Sequence, residues 1–374
     1  MGIHHGHVLR ILRDEGPQSR AELARRSKLS ATTLTHVTAH LLKDGSVMES
    51  ETGGLGSVGR PAQAIRLVPD AHAIAGVHIG AGAVQVTVTD LKASSKGTRF
   101  FDFDVRGADP AIIVKRASAA VTELAQEAQI ETRRLLGVGI SVPGPVDMAR
   151  RKSLFSINVG WRDVPFAELM EQSLSMPAIV EHNVTAMALA ESRYGIGRDV
   201  SALLYVYLRT GLGAGLVVDG LSFRPGGHGA VELGHIQISQ NGAVCACGNT
   251  GCLETFLRED ALMQAAGLTG PAPAHLLAHV EKNAAAWDVV VRHLTTALAS
   301  AVNLLTPDLI VFGGHLGEAP ESLFERLRID LPPRVMPHMR DILEIQRSDF
   351  GPLAGAIGGA AVALDHFFYS GALH

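Results

Sequence analysis

Cysteine is scarce in this chain of 374 residues: there are three, all between positions 245 and 252. An odd count with no fourth cysteine to pair excludes a disulfide framework of the kind that staples small secreted scaffolds. A dominant charge is also lacking. Thirty-three Lys and Arg stand against 37 Asp and Glu, a net charge of −4, so any contact with nucleic acid must come from a local patch. No apolar run approaches the roughly 20 residues that span a membrane. The opening Met1-Gly-Ile-His-His-Gly-His-Val-Leu-Arg10 has no signal-peptide core. Aromatics are few at 5%, yet hydrophobic residues make 47% and charged residues 19%, the balance of a globular chain. The length suffices for two or three domains with real cores. Reduced thiols set the expectation of a cytoplasmic protein.

What is present is concentrated. Cys245-Ala-Cys247-Gly-Asn-Thr-Gly-Cys252-Leu-Glu254 begins ten residues after His235. Three thiolates and one imidazole are the ligands of a closed tetrahedral zinc site. Zn2+ held by His235, Cys245, Cys247 and Cys252 would fix a loop over residues 235–254 and gather Glu232, His235 and Glu254. The alternative is a disulfide or idle core thiols, which the odd count disfavours.

The first seventy residues read as helices and a ribbon. Val8 to Arg13 is a short helix closed by Gly16-Pro17. Ser19 is an N-cap with Glu22 at the capping-box position, opening Arg20 to Ser27. Lys28-Leu29 turns the chain. Ser30 caps Ala31 to Leu42, in which Leu34, Val37 and Leu41 recur at helical spacing. This is the pattern of a helix-turn-helix whose second helix reads the major groove. Ser30, Thr32, Thr33, Thr35 and His36 offer short polar groups to base edges and phosphates. Arg20, Arg25, Arg26, Lys28 and Lys43 face one acid, Glu22, between residues 19 and 43. Val47 to Glu51 and Gln63 to Leu67 would flank a wing carrying Arg60. A plain three-helix packing module is the competing reading.

Beyond Pro69-Asp70 short strands alternate with helices. Ala75–Ile79 and Val84–Asp90 form an expected hairpin, followed by a helix from Pro110 to about Gln129 and a buried strand, Leu135–Val142. A second strand-rich unit starts near Ala202, with Leu203–Leu208 and Gly215–Asp219 around Thr210-Gly-Leu-Gly-Ala-Gly215. A long helix, Ala284–Leu305, a strand, Leu309–Phe312, and a small-residue helix, Pro352–Leu364, follow. Two half-repeats of an α/β unit are the reading.

These residues resemble the ROK family of repressors and sugar kinases, over nearly the whole length. The most specific piece is Glu232-Leu-Gly-His235 with the cysteine run ending at Glu254. Pro143-Gly-Pro145, Asn158 with Gly160-Trp161, Val180-Glu-His-Asn183 and the glycine run at Thr210 support it. The N-terminal module ending in Gly59-Arg60-Pro61-Ala62 resembles the winged helix of the repressor branch. The resemblance implies an α/β, actin-like sugar-kinase fold of two lobes (residues 71–374) preceded by an α+β winged helix-turn-helix domain (residues 1–70). It also implies that Asn158, His182, Asn183, Glu232, His235 and Glu254 line a sugar site.

Two parts of a kinase depart from the pattern. Family kinases carry an Asn-Asp pair where this chain has His182-Asn183, and an amide cannot take a proton from an attacking hydroxyl. Their first phosphate loop resembles Asp-x-Gly-Gly-Thr, whereas here it reads His78-Ile-Gly80-Ala81-Gly82. The expectation is therefore a non-enzymatic, sugar-responsive regulator, most simply a repressor. It would bind operator DNA as a homodimer or higher oligomer, with a transport-system protein as a further possible partner and no membrane association. An ATP-dependent hexose or N-acetylhexosamine kinase is the alternative. The directions of Arg162, Arg193 and Arg209 decide whether a phosphorylated effector fits.

Overall fold

Two serines start two helices of the head. In the computed structural model, which describes residues 2–51, 63–224, 226 and 230–370, Ser19 Oγ accepts the Glu22 amide at 3.2 Å and Ser30 Oγ accepts the Thr33 amide at 3.1 Å. Each hydroxyl satisfies one of the amides that a helix start leaves without an intrahelical partner. Glu22 does not close the expected capping box; its carboxylate turns to Arg25 at 2.8 Å. The head comprises α1 (Ile3–Glu15), β1 (Gln18–Ser19), α2 (Arg20–Ser27), α3 (Ala31–Asp44), β2 (Val47–Glu51) and β3 (Gln63–Leu67). Helix α1 is longer at both ends than the expected Val8–Arg13. Gly45, at φ 80°, ends α3 by giving its amide to the Leu42 carbonyl. Leu34, Val37 and Leu41 pack with Leu9, Leu12, Leu23 and Ile65, and each fully buried leucine contributes roughly 2 kcal/mol. The strands form a sheet ordered β1-β3-β2. The expected wing tip, including Arg60, lies outside the described residues.

The first lobe runs through β4 (Ala73–Ile79), β5 (Ala83–Thr89), β6 (Ser95–Asp102), α4 (Pro110–Glu127), β7 (Leu135–Val142), β8 (Ser153–Ser156), β9 (Trp161–Val164), α5 (Phe166–Leu174) and β10 (Ala178–His182). Its sheet is ordered β10-β7-β4-β5-β6, with β7 parallel to both β10 and β4. Every residue of β4 is buried, as a central strand covered on both faces requires. Strand β6 was not expected: it is a half-exposed, largely polar edge strand without a clean apolar alternation.

The second lobe follows α6 (Asn183–Tyr194). It holds β11 (Ala202–Leu208), β12 (Leu212–Val218), β13 (Leu221–Ser222), α7 (Leu253–Leu257), α8 (Glu259–Ala265), α9 (Leu276–Glu281), α10 (Ala284–Leu305), β14 (Leu309–Gly314), α11 (Glu321–Asp330) and β15 (Glu344–Arg347). Helix α12 (Ala354–Ala363) then leads into a π-helical turn, Leu364–Tyr369. The second sheet, ordered β13-β12-β11-β14-β15, repeats the plan of the first: an antiparallel hairpin continued by parallel strands. The glycine run is part of that hairpin, because β12 begins at Leu212 and not at Gly215 as expected.

The lobes exchange helices. Helix α6 leaves the first sheet and packs on β11 and β12 of the second, while α12 leaves the second and packs on β4 and β7 of the first. The two helices pack against each other between the lobes. Among the described residues no helix is long and apolar enough to cross a membrane.

Candidate functional site

The cysteine run folds back on itself through short backbone bonds, Cys245 N to Asn249 O at 2.7 Å and Gly248 N to Cys245 O at 2.9 Å. This turn brings the three sulfurs and the His235 ring together, with all four ligand atoms within 4.8 Å of one another. Cys245 Sγ lies 3.6 Å from His235 Nδ1, and Cys247 Sγ lies 3.7 Å from Cys252 Sγ. Bonds of about 2.3 Å to sulfur and 2.0–2.1 Å to nitrogen give tetrahedral edges of roughly 3.8 and 3.6 Å. The donor set therefore fits a tetrahedral metal ion. His235 presents Nδ1 to the cysteines, leaving Nε2 on the side of Glu232, 4.0 Å from its carboxylate.

The same loop forms one wall of a cleft of about 530 Å³ between the lobes. Asn158, His182, Asn183, Glu232, His235 and Glu254 all border it. Glu254 and Asn158 converge on the glycine hairpin: a methyl group on Gly211 would stand 2.7 Å from Glu254 Oε2 and 3.3 Å from Asn158 Nδ2. Glu254 Oε2 also accepts the Leu212 amide at 2.8 Å. Asn183 is the first residue of α6, its Oδ1 accepting the adjacent Val184 amide at 2.9 Å, and His182 Nδ1 meets Thr185 Oγ1 at 3.1 Å. Burial, reinforced by Arg224, pushes the His182 pKa down to about 4. The wall is thus an uncharged imidazole and two amides facing two carboxylates, a donor and acceptor array suited to hydroxyl groups. A second depression, of about 740 Å³, lies between α11 and β15 and gathers none of these residues.

His78, near the end of β4, also borders the cleft. Its Nδ1 lies 3.0 Å from Ser141 Oγ, whose own proton goes to the Gly355 carbonyl at 2.9 Å. Nδ1 is therefore the donor and His78 is neutral; burial pushes its pKa down to about 4. Ser141 escaped the sequence reading because a serine inside a buried strand carries no local signal of its partner. Of the three arginines in question, Arg209 borders the cleft and pairs with Glu318 at 3.2 Å. Arg193 turns away to Asp365 at 3.7 Å, and Arg162 is exposed on β9.

On the head, Thr32, Thr35 and His36 share an exposed face of α3, and Thr33 beside them is half-buried. Ser30 Oγ is engaged in capping, and the Thr35 hydroxyl donates to the Ala31 carbonyl at 2.8 Å. The basic patch is less one-sided than the sequence suggests. Arg20 pairs with Glu49 and Arg26 with Glu15, each at 2.8 Å, so two acids from outside the helix pair join Glu22. Such half-exposed pairs contribute little, about 0–1 kcal/mol, and can be exchanged for phosphates.

Comparison with known proteins agrees with this division. A family model described as the ROK family matches residues 74–366, and one described as the MarR family matches residues 3–51. The chain is 26% identical over 387 residues to the DNA-binding transcriptional repressor Mlc of Escherichia coli strain K12, covering 98% of this chain and 94% of that one. It is 25% identical over 383 residues to a xylose repressor of Bacillus spizizenii, covering 96% and 94%. A crystal structure of a ROK family transcriptional regulator, described as a homolog of the E. coli protein, matches with a TM-score of 0.84 at 26% identity, covering 99% and 97%.

Proposed function

This chain belongs to the ROK family, and from that premise we propose that it is a sugar-responsive transcriptional regulator, a repressor that binds operator DNA through its head and a sugar in its cleft. One observation carries this: a single chain joins a MarR-type winged helix to a sugar-kinase-like body, end to end with relatives named as repressors.

The regulator has no kinase activity. Asn183 is engaged with the Val184 amide and has no basic lone pair for a hydroxyl proton, while neutral His78 offers no carboxylate to organise a magnesium ion. The sugar contacts are Asn158, His182, Asn183, Glu232, His235 and Glu254. The head is residues 1–70 and the body residues 71–374. Arg20, Ser30, Thr32, Thr33, Thr35, His36 and Arg60 are the DNA contacts.

Zinc is the ion that suits three cysteines and a histidine. His235, Cys245, Cys247 and Cys252 would hold it, and the bound ion would supply folding energy to the loop. With His235 oriented through Nδ1, its Nε2 stays available to a sugar hydroxyl. One chain supplies one reading helix, so a palindromic operator requires a homodimer with its helices about one DNA turn apart. A transport-system protein is a further partner, and the site of action is the cytoplasm.

The test is fluorescence anisotropy on DNA from upstream of the protein's own gene at fixed salt, followed by a panel of sugars and sugar phosphates. Specific binding relieved by one compound is the expected result. Binding no tighter than to random DNA would count against the regulator reading, and phosphorylation of a hexose by ATP would refute the loss of kinase activity.

A further inference from the structure

The head is fastened to the body through a buried cation. Arg13, near the end of α1, has a side chain only 4% exposed. It makes a bidentate pair with Asp14, Nε to Oδ1 at 2.6 Å and Nη2 to Oδ2 at 3.0 Å. Its guanidinium stands 5.0 Å from the Tyr194 ring centre and 4.6 Å from that of Tyr369, and Nη1 reaches Tyr194 Oη at 3.4 Å. Arg10, one turn earlier, donates to the Tyr369 carbonyl at 2.9 Å. Burying a guanidinium is costly, and an apolar side chain of the same size is often at least as stabilising. Unlike an apolar side chain, the planar guanidinium is directional, meeting the Asp14 carboxylate along one edge with the two tyrosines beside it.

The two tyrosines belong to different lobes. Tyr194 ends α6, which is seated on the second sheet: a methyl on Gly215 would stand 2.5 Å from the Val184 carbonyl oxygen. Tyr369 ends the turn that continues α12, which is seated on the first sheet at Gly139 and Gly359. The helices cross at Gly358, where a methyl would stand 2.8 Å from the Ala186 carbonyl carbon. Each helix makes most of its contacts with one sheet, so relative motion of the lobes falls chiefly on this small-residue crossing, as shear. Tyr194 lies eight residues beyond Ala186, about 12 Å along the helix. A rotation of about 10° at the crossing would displace Tyr194 relative to Tyr369 by about 2 Å, the scale of known helix-shift switches.

Building on the regulator reading, we propose that Arg13 is the positioning residue that converts lobe closure into a movement of the DNA-binding head. It grips α6 through Tyr194 and α12 through Tyr369, so a change in their separation moves α1. The start of α6, at Asn183, borders the cleft, and its end touches the head. A ligand that changes cleft closure therefore works directly on a helix joined to the head, and DNA on the head works back on the cleft by the same amount.

The test is amide hydrogen exchange on the full chain, comparing wild type with Arg13→Met and with Asp14→Asn, a milder change that removes the paired charge and one acceptor oxygen while keeping the shape. Without any ligand, Arg13→Met is expected to speed exchange at least tenfold at 186–189 and 358–361 as well as in α1, with Asp14→Asn giving a smaller change in the same places. A change confined to α1 in both variants overturns the proposal. In the second arm, a DNA duplex selected by the wild type from a random library is added to saturation. Exchange around Asn183 and Gly211 should respond in the wild type and not in either variant; a response that survives in the variants overturns the proposal. Failure of the wild type to select any duplex would sink the regulator reading instead, and the ligand-free arm would still decide the role of Arg13 in joining the lobes.

Discussion

Glu254 Oε2 accepts the backbone amide of Leu212 at 2.8 Å, tying the end of the cysteine loop to the glycine hairpin of the second sheet. Glu254 follows Cys252 by two residues, so whatever orders the cysteines also orders a carboxylate in the cleft. The loop, the hairpin and Asn158 meet at Gly211.

Substitution at Glu254 separates its two roles. Glu254→Gln keeps an oxygen for Leu212 but loses the charge, and charge-assisted hydrogen bonds are about twice as strong as neutral ones. A several-fold weaker sugar response with near-normal thermal stability is expected. Glu254→Ala should weaken the response at least tenfold, about 1.4 kcal/mol, and lower stability by about 1 kcal/mol as the amide loses its partner. Titration calorimetry and thermal melts read the two effects.

Metal removal should act at a distance. Cys247→Ser is expected to lower bound zinc, measured by atomic emission, and to weaken the sugar response through Glu232, His235 and Glu254. Unchanged metal content together with an unchanged sugar response would disprove the coupling between loop and cleft.

His78 makes a pH-dependent contribution. Its folded pKa, about 4, lies below the ordinary 6.5, so the unfolded chain takes up the proton first as pH falls. The stability it contributes is full above pH 6.5 and is lost as pH falls toward 4, at up to about 1.4 kcal/mol per pH unit. Denaturant unfolding of wild type should lose about 2 kcal/mol from this residue between pH 7 and 5. His78→Asn should show a shallower pH dependence by that amount, while His182, depressed in the same direction, keeps its share in both proteins.

On DNA, His36→Ala and Thr32→Ala should reduce specific binding by about 1–3 kcal/mol each if they read base edges, with little effect on random DNA. Arg20→Ala should instead weaken binding to all sequences and lower the salt slope by about one, because its exposed pair with Glu49 is readily traded for a phosphate. Anisotropy at several salt concentrations distinguishes the two patterns.

Much of the head was legible because its signals are local. Ser19 and Ser30 cap where expected, and Leu34, Val37 and Leu41 face the core. The hairpin at Ala75 was legible from its alternation, whereas β6 and β15 were not, since polar edge strands need only half the burial that marks a strand. The cysteine spacing pointed to His235, Cys245, Cys247 and Cys252 as a group that could hold a metal ion, and a backbone turn closed by Cys245 N to Asn249 O gathers their ligand atoms within 4.8 Å of one another.

What the sequence determined by itself was therefore the chemistry available: three thiols and an imidazole, amides and carboxylates, and a helix offering threonines. Tertiary structure decided what those groups face. Glu49 and Glu15 reach the head's arginines from outside the helix pair, Ser141 sets the tautomer of His78, and Arg13 lies between tyrosines 181 and 356 residues away along the chain. Capping and periodicity act over a few residues and leave a pattern in the sequence. Contacts between distant segments depend on how whole helices and sheets pack, and no local pattern records them.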